Sequence, residues 1–173
     1  MACTKAVIKV LTSFAPVAHV SSQMLILGSM PGVKSLDAGQ YYAHRQNAFW
    51  EIMGAIIGFN PTMPYAERVQ KLIFAGIALW DVVQSCEREG SLDAAIKLNT
   101  IKTNDFLSFY IQYPNIKWVY FNGAMAERCY KTLVKPALKN SLTYARLPST
   151  SPAHATLTFQ TKVNVWRMAL ENN

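Results

Sequence analysis

Between Gly28 and Trp50 the chain reads GSMPGVKSLDAGQYYAHRQNAFW, and this stretch holds most of the residues whose chemistry could serve a ligand. The turn Gly28-Ser29-Met30-Pro31-Gly32 follows the apolar run Met24-Leu25-Ile26-Leu27, which reads as a buried strand. Tyr41 and Tyr42 then precede His44-Arg45-Gln46-Asn47 and the aromatic pair Phe49-Trp50 that starts a helix. Leaving a strand requires only a short turn. About twenty residues rich in Gly, Tyr, His, Arg and Asn therefore suit the wall of a binding site. The turn lacks the Lys-Ser/Thr of a phosphate-binding P-loop and the spacing of GxGxxG. Ser29 directly follows the first glycine, unlike the serine of a GxSxG elbow, so a Ser-His-Asp hydrolase is disfavoured. Taken alone, the turn is equally compatible with a plain tight turn.

The elements that must position these residues alternate between strand and helix. Apolar segments at Met24–Leu27, Ile77–Trp80, Trp118–Phe121 and Leu142–Leu147 predict four strands. Phe49, Ile52, Met53, Ile56 and Ile57 have amphipathic helical spacing. Pro64 suits the start of a helix over Tyr65–Phe74. Asn104-Asp105 can cap Phe106–Tyr110, Ala124–Val134 stops before Pro136, and the tail from Leu157 to Leu170 predicts a last helix. Three of the strands are too apolar to have a solvated face, which predicts a mainly parallel sheet covered by helices on both sides. With no internal repeat or low-complexity linker, residues 1–173 read as a single α/β domain. Polar or unusual residues gather where each strand ends: Gly28-Ser29, Asp81, Asn122-Gly123 and Pro148-Ser149-Thr150-Ser151. Open α/β sheets bind ligands outside the carboxyl ends of their strands, so four segments deliver polar groups to one rim.

Seventeen Lys and Arg against ten Asp and Glu give a net charge of +7. A balance of this size suits a polyanion, nucleic acid being the commonest, and suits equally a surface charged only for solubility. The basic residues, Lys5, Lys9 and Lys139 among them, are scattered rather than gathered in a tail. Cys3, Cys86 and Cys129 form no CxxC pair or disulfide framework, which points to the reducing cytoplasm. Three cysteines and the dispersed His19, His44 and His154 predict neither an iron–sulfur cluster nor a metal site. The mildly apolar Val7–Val20 region lacks the form of a signal peptide, and no segment has the length of a membrane span.

The Gly28–Trp50 block resembles the first motif of the uracil-DNA glycosylase superfamily. Its second half, Tyr42-Ala43-His44-Arg45-Gln46-Asn47-Ala48-Phe49-Trp50, is similar to the aromatic-Ala-His-Pro-x-Asn-x-Phe-Trp segment of the mismatch-specific branch. Leu147-Pro148-Ser149-Thr150-Ser151-Pro152 resembles the family's late DNA-gripping loop, and Gly76–Asp81 and Phe121-Asn122-Gly123 fall where it has its middle strands. Met30 stands where the mismatch enzymes place the Asn that positions water, and a thioether cannot orient water. Arg45 replaces the usual Pro, and Ser149 replaces a His or Asn. The Ser-Met-Pro-Gly turn together with the Ser-Thr-Ser-Pro loop is most similar to the hypoxanthine (deoxyinosine) DNA glycosylase branch.

The resemblance implies a three-layer α/β/α domain with a central, mainly parallel four-stranded sheet. It implies a monofunctional, cofactor-free and monomeric DNA glycosylase that flips a deaminated base into a pocket and hydrolyses its N-glycosidic bond. Asn47 would orient water or hold the leaving base; it also fits a cap for the Phe49 helix. Asp81 would accept the N1–H of hypoxanthine, although a helix N-cap role is open as well. Tyr42 would stack on the base, in a pocket shared by Gly28, Ser29, Met30, Phe49 and Asn122. Ser149, Thr150, Ser151 and His154 would grip phosphates, with Lys34 and Arg45 as further phosphate contacts. His44 would touch phosphate or brace its loop. Three other readings stay open: a G/U mismatch uracil-DNA glycosylase, a non-catalytic nucleic-acid-binding module, and an α/β enzyme of free nucleosides.

Overall fold

The computed structural model describes residues 10–138 and 141–172. Cys3, Lys5, Lys9 and Lys139 lie outside the described residues, as does the start of the Val7–Val20 region. The chain runs through β1 (Val10–Thr12), β2 (Met24–Gly28), α1 (Val33–Ala38), α2 (Phe49–Ile57), α3 (Tyr65–Phe74), β3 (Ile77–Asp81) and β4 (Val83–Glu87). It continues through β5 (Lys102–Thr103), α4 (Phe106–Gln112), β6 (Trp118–Asn122), α5 (Ala124–Cys129), β7 (Thr143–Leu147) and α6 (Phe159–Glu171).

The four expected strands form one sheet in the order β3-β2-β6-β7. Every pairing in it is parallel, with Leu25 opposite Ala78 on one side and Val119 on the other. Because side chains alternate along a strand, the apolar run of β2 feeds both faces. Leu25 and Leu27, with Trp80 and Phe121, pack against Phe106 and Phe109 of α4 and Tyr130 beyond α5. Ile26, Leu79 and Tyr120 pack the opposite way, against Phe49, Leu72 and Trp166 of α2, α3 and α6. The result is the expected three-layer α/β/α arrangement, with the sheet between two apolar cores.

Four features depart from the sequence reading. A second, antiparallel sheet, β1-β4-β5, follows β3 almost immediately. Its strands are short and partly exposed, so they carry too little apolar alternation to stand out. The six-residue α1 was also not expected; it ends at Gly39, whose φ of 63° is the left-handed cap that glycine favours. Beyond Cys129 the expected α-helix widens into a π-helical turn over Tyr130–Val134. The predicted cap of α4 is present, with Asp105 accepting from the Ser108 amide at 3.0 Å. The last helix begins at Phe159 rather than Leu157, capped by Thr158.

Candidate active site

A cavity of about 560 Å³ opens at the carboxyl end of the four-stranded sheet, where Gly28, Asp81 and Asn122 end their strands. The turn after β2, the segment from Tyr41 to Asn47 and the loop after β7 complete its wall. Of the residues singled out in the sequence, Gly28, Ser29, Met30, Lys34, Tyr42, His44, Asn47, Asp81, Asn122, Ser149, Thr150, Ser151 and His154 line this one space. Phe49 and Arg45 do not. Phe49 is fully buried, and its ring stacks behind that of Tyr42 with centroids 4.0 Å apart. It supports the pocket wall without reaching it. Arg45 is exposed outside the cavity lining.

Asp81 closes β3 and no helix follows it, so the N-cap alternative does not apply. The residue is 3% exposed, and its Oδ2 has no hydrogen-bond partner. Burial, reinforced by the neighbouring charge of Asp93 and opposed by Arg88, pushes its pKa up to about 7. Gly28 is required beside it, because a Cβ there would collide with Asp81 Oδ1 and approach Tyr42 Oη at 3.3 Å. Tyr42 is held at φ 56°, a strained conformation for an aromatic residue, and its buried hydroxyl lies beside the Asn122 amide and in the field of Asp81. Burial raises the pKa of that phenol, so it enters the site as a neutral hydroxyl. A polar atom facing a cavity is satisfied by water or by a ligand group that takes its place.

Asn47 lines the cavity one residue before Ala48, which is the N-cap of α2 in its place. Asn47 Oδ1 accepts from the Phe49 amide at 3.0 Å, an Asx-type contact at the start of α2. That bond fixes the orientation of the side-chain amide and leaves Nδ2 as a donor at the cavity wall. The neighbouring His44 Nδ1 accepts from the Gln46 amide at 3.2 Å, which leaves Nε2 for a ligand. Met30 is 6% exposed and packs into the core on the β4 side of the sheet.

The late loop is tied to the first motif. The Asn122 amide donates to Thr150 Oγ1 and accepts from the Thr150 amide, each at 2.9 Å. Both ends of that side chain are thereby committed to shaping the loop. The Thr150 carbonyl accepts from the Ala48 amide at 3.0 Å. Trp166 Nε1 fastens the start of the loop at Pro148 O, 2.9 Å away, and the buried Lys162 ammonium holds its tip at His154 O, 2.7 Å away.

One part of the wall was not anticipated. Ser91, Leu92, Asp93 and Ala94 line the cavity from the excursion between β4 and β5. Arg88, 6% exposed, braces this excursion against the turn by donating to Pro31 O at 2.6 Å and Gly90 O at 2.9 Å. Ser29 Oγ donates to Asp93 Oδ1 at 2.6 Å, and the Val33 amide donates to Ser91 Oγ at 2.9 Å. The Arg-Glu-Gly-Ser-Leu-Asp sequence looks like an ordinary polar turn, so nothing local marks these residues as part of a site. Among the described residues no group of acidic, His or Cys side chains has the arrangement of a metal centre. No described helix is long and apolar enough to cross a membrane.

The sequence model of the Uracil DNA glycosylase superfamily matches residues 16–169. A hypoxanthine DNA glycosylase of Methanosarcina barkeri (strain Fusaro / DSM 804) is 41% identical over 111 residues, covering 64% of this chain and 69% of that protein. A hypoxanthine DNA glycosylase of Methanosarcina acetivorans is 36% identical over 123 residues, covering 70% and 76%. An NMR structure of a Methanosarcina acetivorans protein assigned to the uracil DNA glycosylases is similar to this fold. It has a TM-score of 0.76 at 32% identity, over 94% of this chain and 99% of that one.

Proposed function

Because the chain belongs to the uracil DNA glycosylase superfamily, we propose that it is a base-excision glycosylase that removes hypoxanthine from DNA. The observation that carries the proposal is the pairing, in one cavity, of the unpartnered Asp81 Oδ2 with the oriented amide of Asn47. The substrate class follows the two Methanosarcina relatives, both hypoxanthine DNA glycosylases. The proposal includes a single-domain, cytoplasmic enzyme acting as a monomer on DNA without a metal or cofactor.

In this mechanism the nucleotide leaves the stack, at a cost lowered by the weak pairing of inosine. Its base lies against Tyr42, Asp81 accepts the N1–H, and a backbone N–H near Ser29 donates to O6. Water adds to C1′ as the C1′–N9 bond breaks, and the bonding electron pair leaves with the base. The base takes up a proton, the water loses one, and an abasic sugar remains. Asn47 Nδ2 is the donor placed to orient the water or to steady the departing anion. Lys34, His44 and the Ser149 and Ser151 hydroxyls meet the flanking phosphates, whereas the Thr150 hydroxyl, buried and bonded to Asn122, shapes the loop instead.

Duplexes carrying one deoxyinosine, deoxyuridine or deoxyxanthosine test the proposal through strand cleavage after alkali. Cleavage at deoxyinosine is the expected result. Cleavage at deoxyuridine alone would move the specificity to uracil, whose N–H beside a carbonyl satisfies the same acceptor. DNA binding without cleavage of any of the three would leave a binding module and end the catalytic proposal. The loop anchor gives a separate expectation. Lys162→Met removes the bond to His154 O while keeping most of the apolar stem. It should weaken DNA affinity about three- to tenfold, measured by fluorescence anisotropy. The saturated excision rate should stay within about twofold of wild type.

A further inference from the structure

The proposed base site contains a second carboxylate that the mechanism above does not use. Asp93 belongs to the excursion between β4 and β5, whose base is closed by the Arg88–Ile96 bridge. Arg88, on Met30 O and Pro31 O, and Ser91, on the Val33 amide, press the excursion against the turn after β2. The residue as a whole is exposed, yet its carboxylate turns inward to Ser29 and lines the cavity. Burial raises the pKa of Asp93, and the 2.6 Å bond from Ser29 and the nearby Arg88 oppose that rise. Only Oδ1 is engaged there, so Oδ2 keeps its lone pairs for a ligand. Consecutive residues of one turn thus carry the two carboxylates: Gly28 lies against Asp81, and Ser29 holds Asp93.

Resting on the glycosylase reading, we propose that Asp93 is a specificity-determining residue that, with Asp81, lets the pocket accept a ring N–H and refuse a ring lone pair. An ionised carboxylate only accepts hydrogen bonds. Hypoxanthine and uracil present a ring N–H beside a carbonyl. Adenine and cytosine, the bases from which they arise by deamination, present a lone pair at the same ring position. Where both carboxylates are ionised, above about pH 7 for Asp81, that lone pair meets only acceptors and is left unpaired, which discriminates more strongly than fit alone. The charge of Asp93 is felt at Asp81, where it helps to raise the pKa, in keeping with two carboxylates sharing one small site.

The test compares the affinity of wild type, Asp93→Asn and Asp93→Ala for two uncleaved duplexes, containing 2′-fluoroarabino-inosine or 2′-fluoroarabino-adenosine. Asparagine keeps an oxygen for Ser29, so the excursion stays docked, but its amide presents a donor as readily as an acceptor. Circular dichroism melting of each variant checks that the fold is retained. The expected result is a preference for the inosine duplex in wild type that falls about tenfold in Asp93→Asn. The same preference should be reduced in Asp93→Ala. An undiminished preference in both variants would overturn the role of Asp93 while leaving the glycosylase proposal standing. A wild type that binds both duplexes equally and releases no hypoxanthine from a deoxyinosine duplex would overturn the glycosylase proposal itself.

Discussion

Asn47→Ala is expected to slow single-turnover excision at deoxyinosine by about a hundredfold to a thousandfold, with DNA affinity nearly unchanged. The expectation rests on orientation. Oδ1 is held by the Phe49 amide, so Nδ2 arrives at the cavity already aimed and needs no reorganisation as charge develops. Removing a preorganised donor raises the barrier in the transition state and leaves ground-state binding largely alone, which is the kinetic signature to measure. Alanine also deletes the contact at the start of α2 and should lower stability by about 1 kcal/mol. Asn47→Asp separates these effects. It retains an acceptor for the Phe49 amide and therefore the stability, but replaces the donor with a charge. A stable Asp variant as inactive as the Ala variant assigns the loss to Nδ2. An active Asp variant would reduce Asn47 to a brace for the start of α2.

The sheet and most of its helices were legible because they obey simple periodicities. Runs such as Leu25-Ile26-Leu27 and Val119-Tyr120-Phe121 are apolar on both faces, and only a strand buried between two layers requires that. Once such strands lie parallel, their polar ends must share a rim, so Gly28, Asp81 and Asn122 could be grouped from sequence. Asp93 could not. It reaches the cavity through the two-residue β5, a tight excursion and a buried Arg88 bonded to backbone carbonyls, none of which leaves a periodic trace. Phe49 failed as a pocket residue for a related reason. Its aromatic type suits stacking on a base or on a neighbour, and only the packing of α2 decides that it stacks on Tyr42. Asn122 illustrates a third limit. Its place at the rim was readable, but its bond pair to Thr150 depends on how the late loop folds back.

The second large effect is expected at Asp81, and it has opposite signs for activity and stability. In the unfolded chain an aspartate titrates near 3.8, whereas burial and the charge of Asp93 lift Asp81 to about 7 in the fold. Between those values the folded state holds a proton that the unfolded state has released. Stability therefore falls as pH rises from about 4 to 7 and stays reduced above that. The loss is on the order of a few kcal/mol, because a carboxylate 3% exposed receives little relief from solvent. Asp81→Asn abolishes this titration. The variant should melt at a higher temperature than wild type at pH 8 and differ much less at pH 5. Its activity should move the other way. The proposed role is to accept the N1–H as an ionised acceptor, so wild-type excision should climb with pH through about 7. Asp81→Asn should be at least about tenfold slower at pH 8 and lack that limb. Asp93→Asn removes a like charge and should shift the wild-type limb to lower pH. A more stable Asp81→Asn enzyme with full activity and an unchanged pH profile would show that the carboxylate is buried without reading the base. A less active one that loses the limb would tie the destabilising charge at the end of β3 to recognition, the usual relation between a strained site and its function.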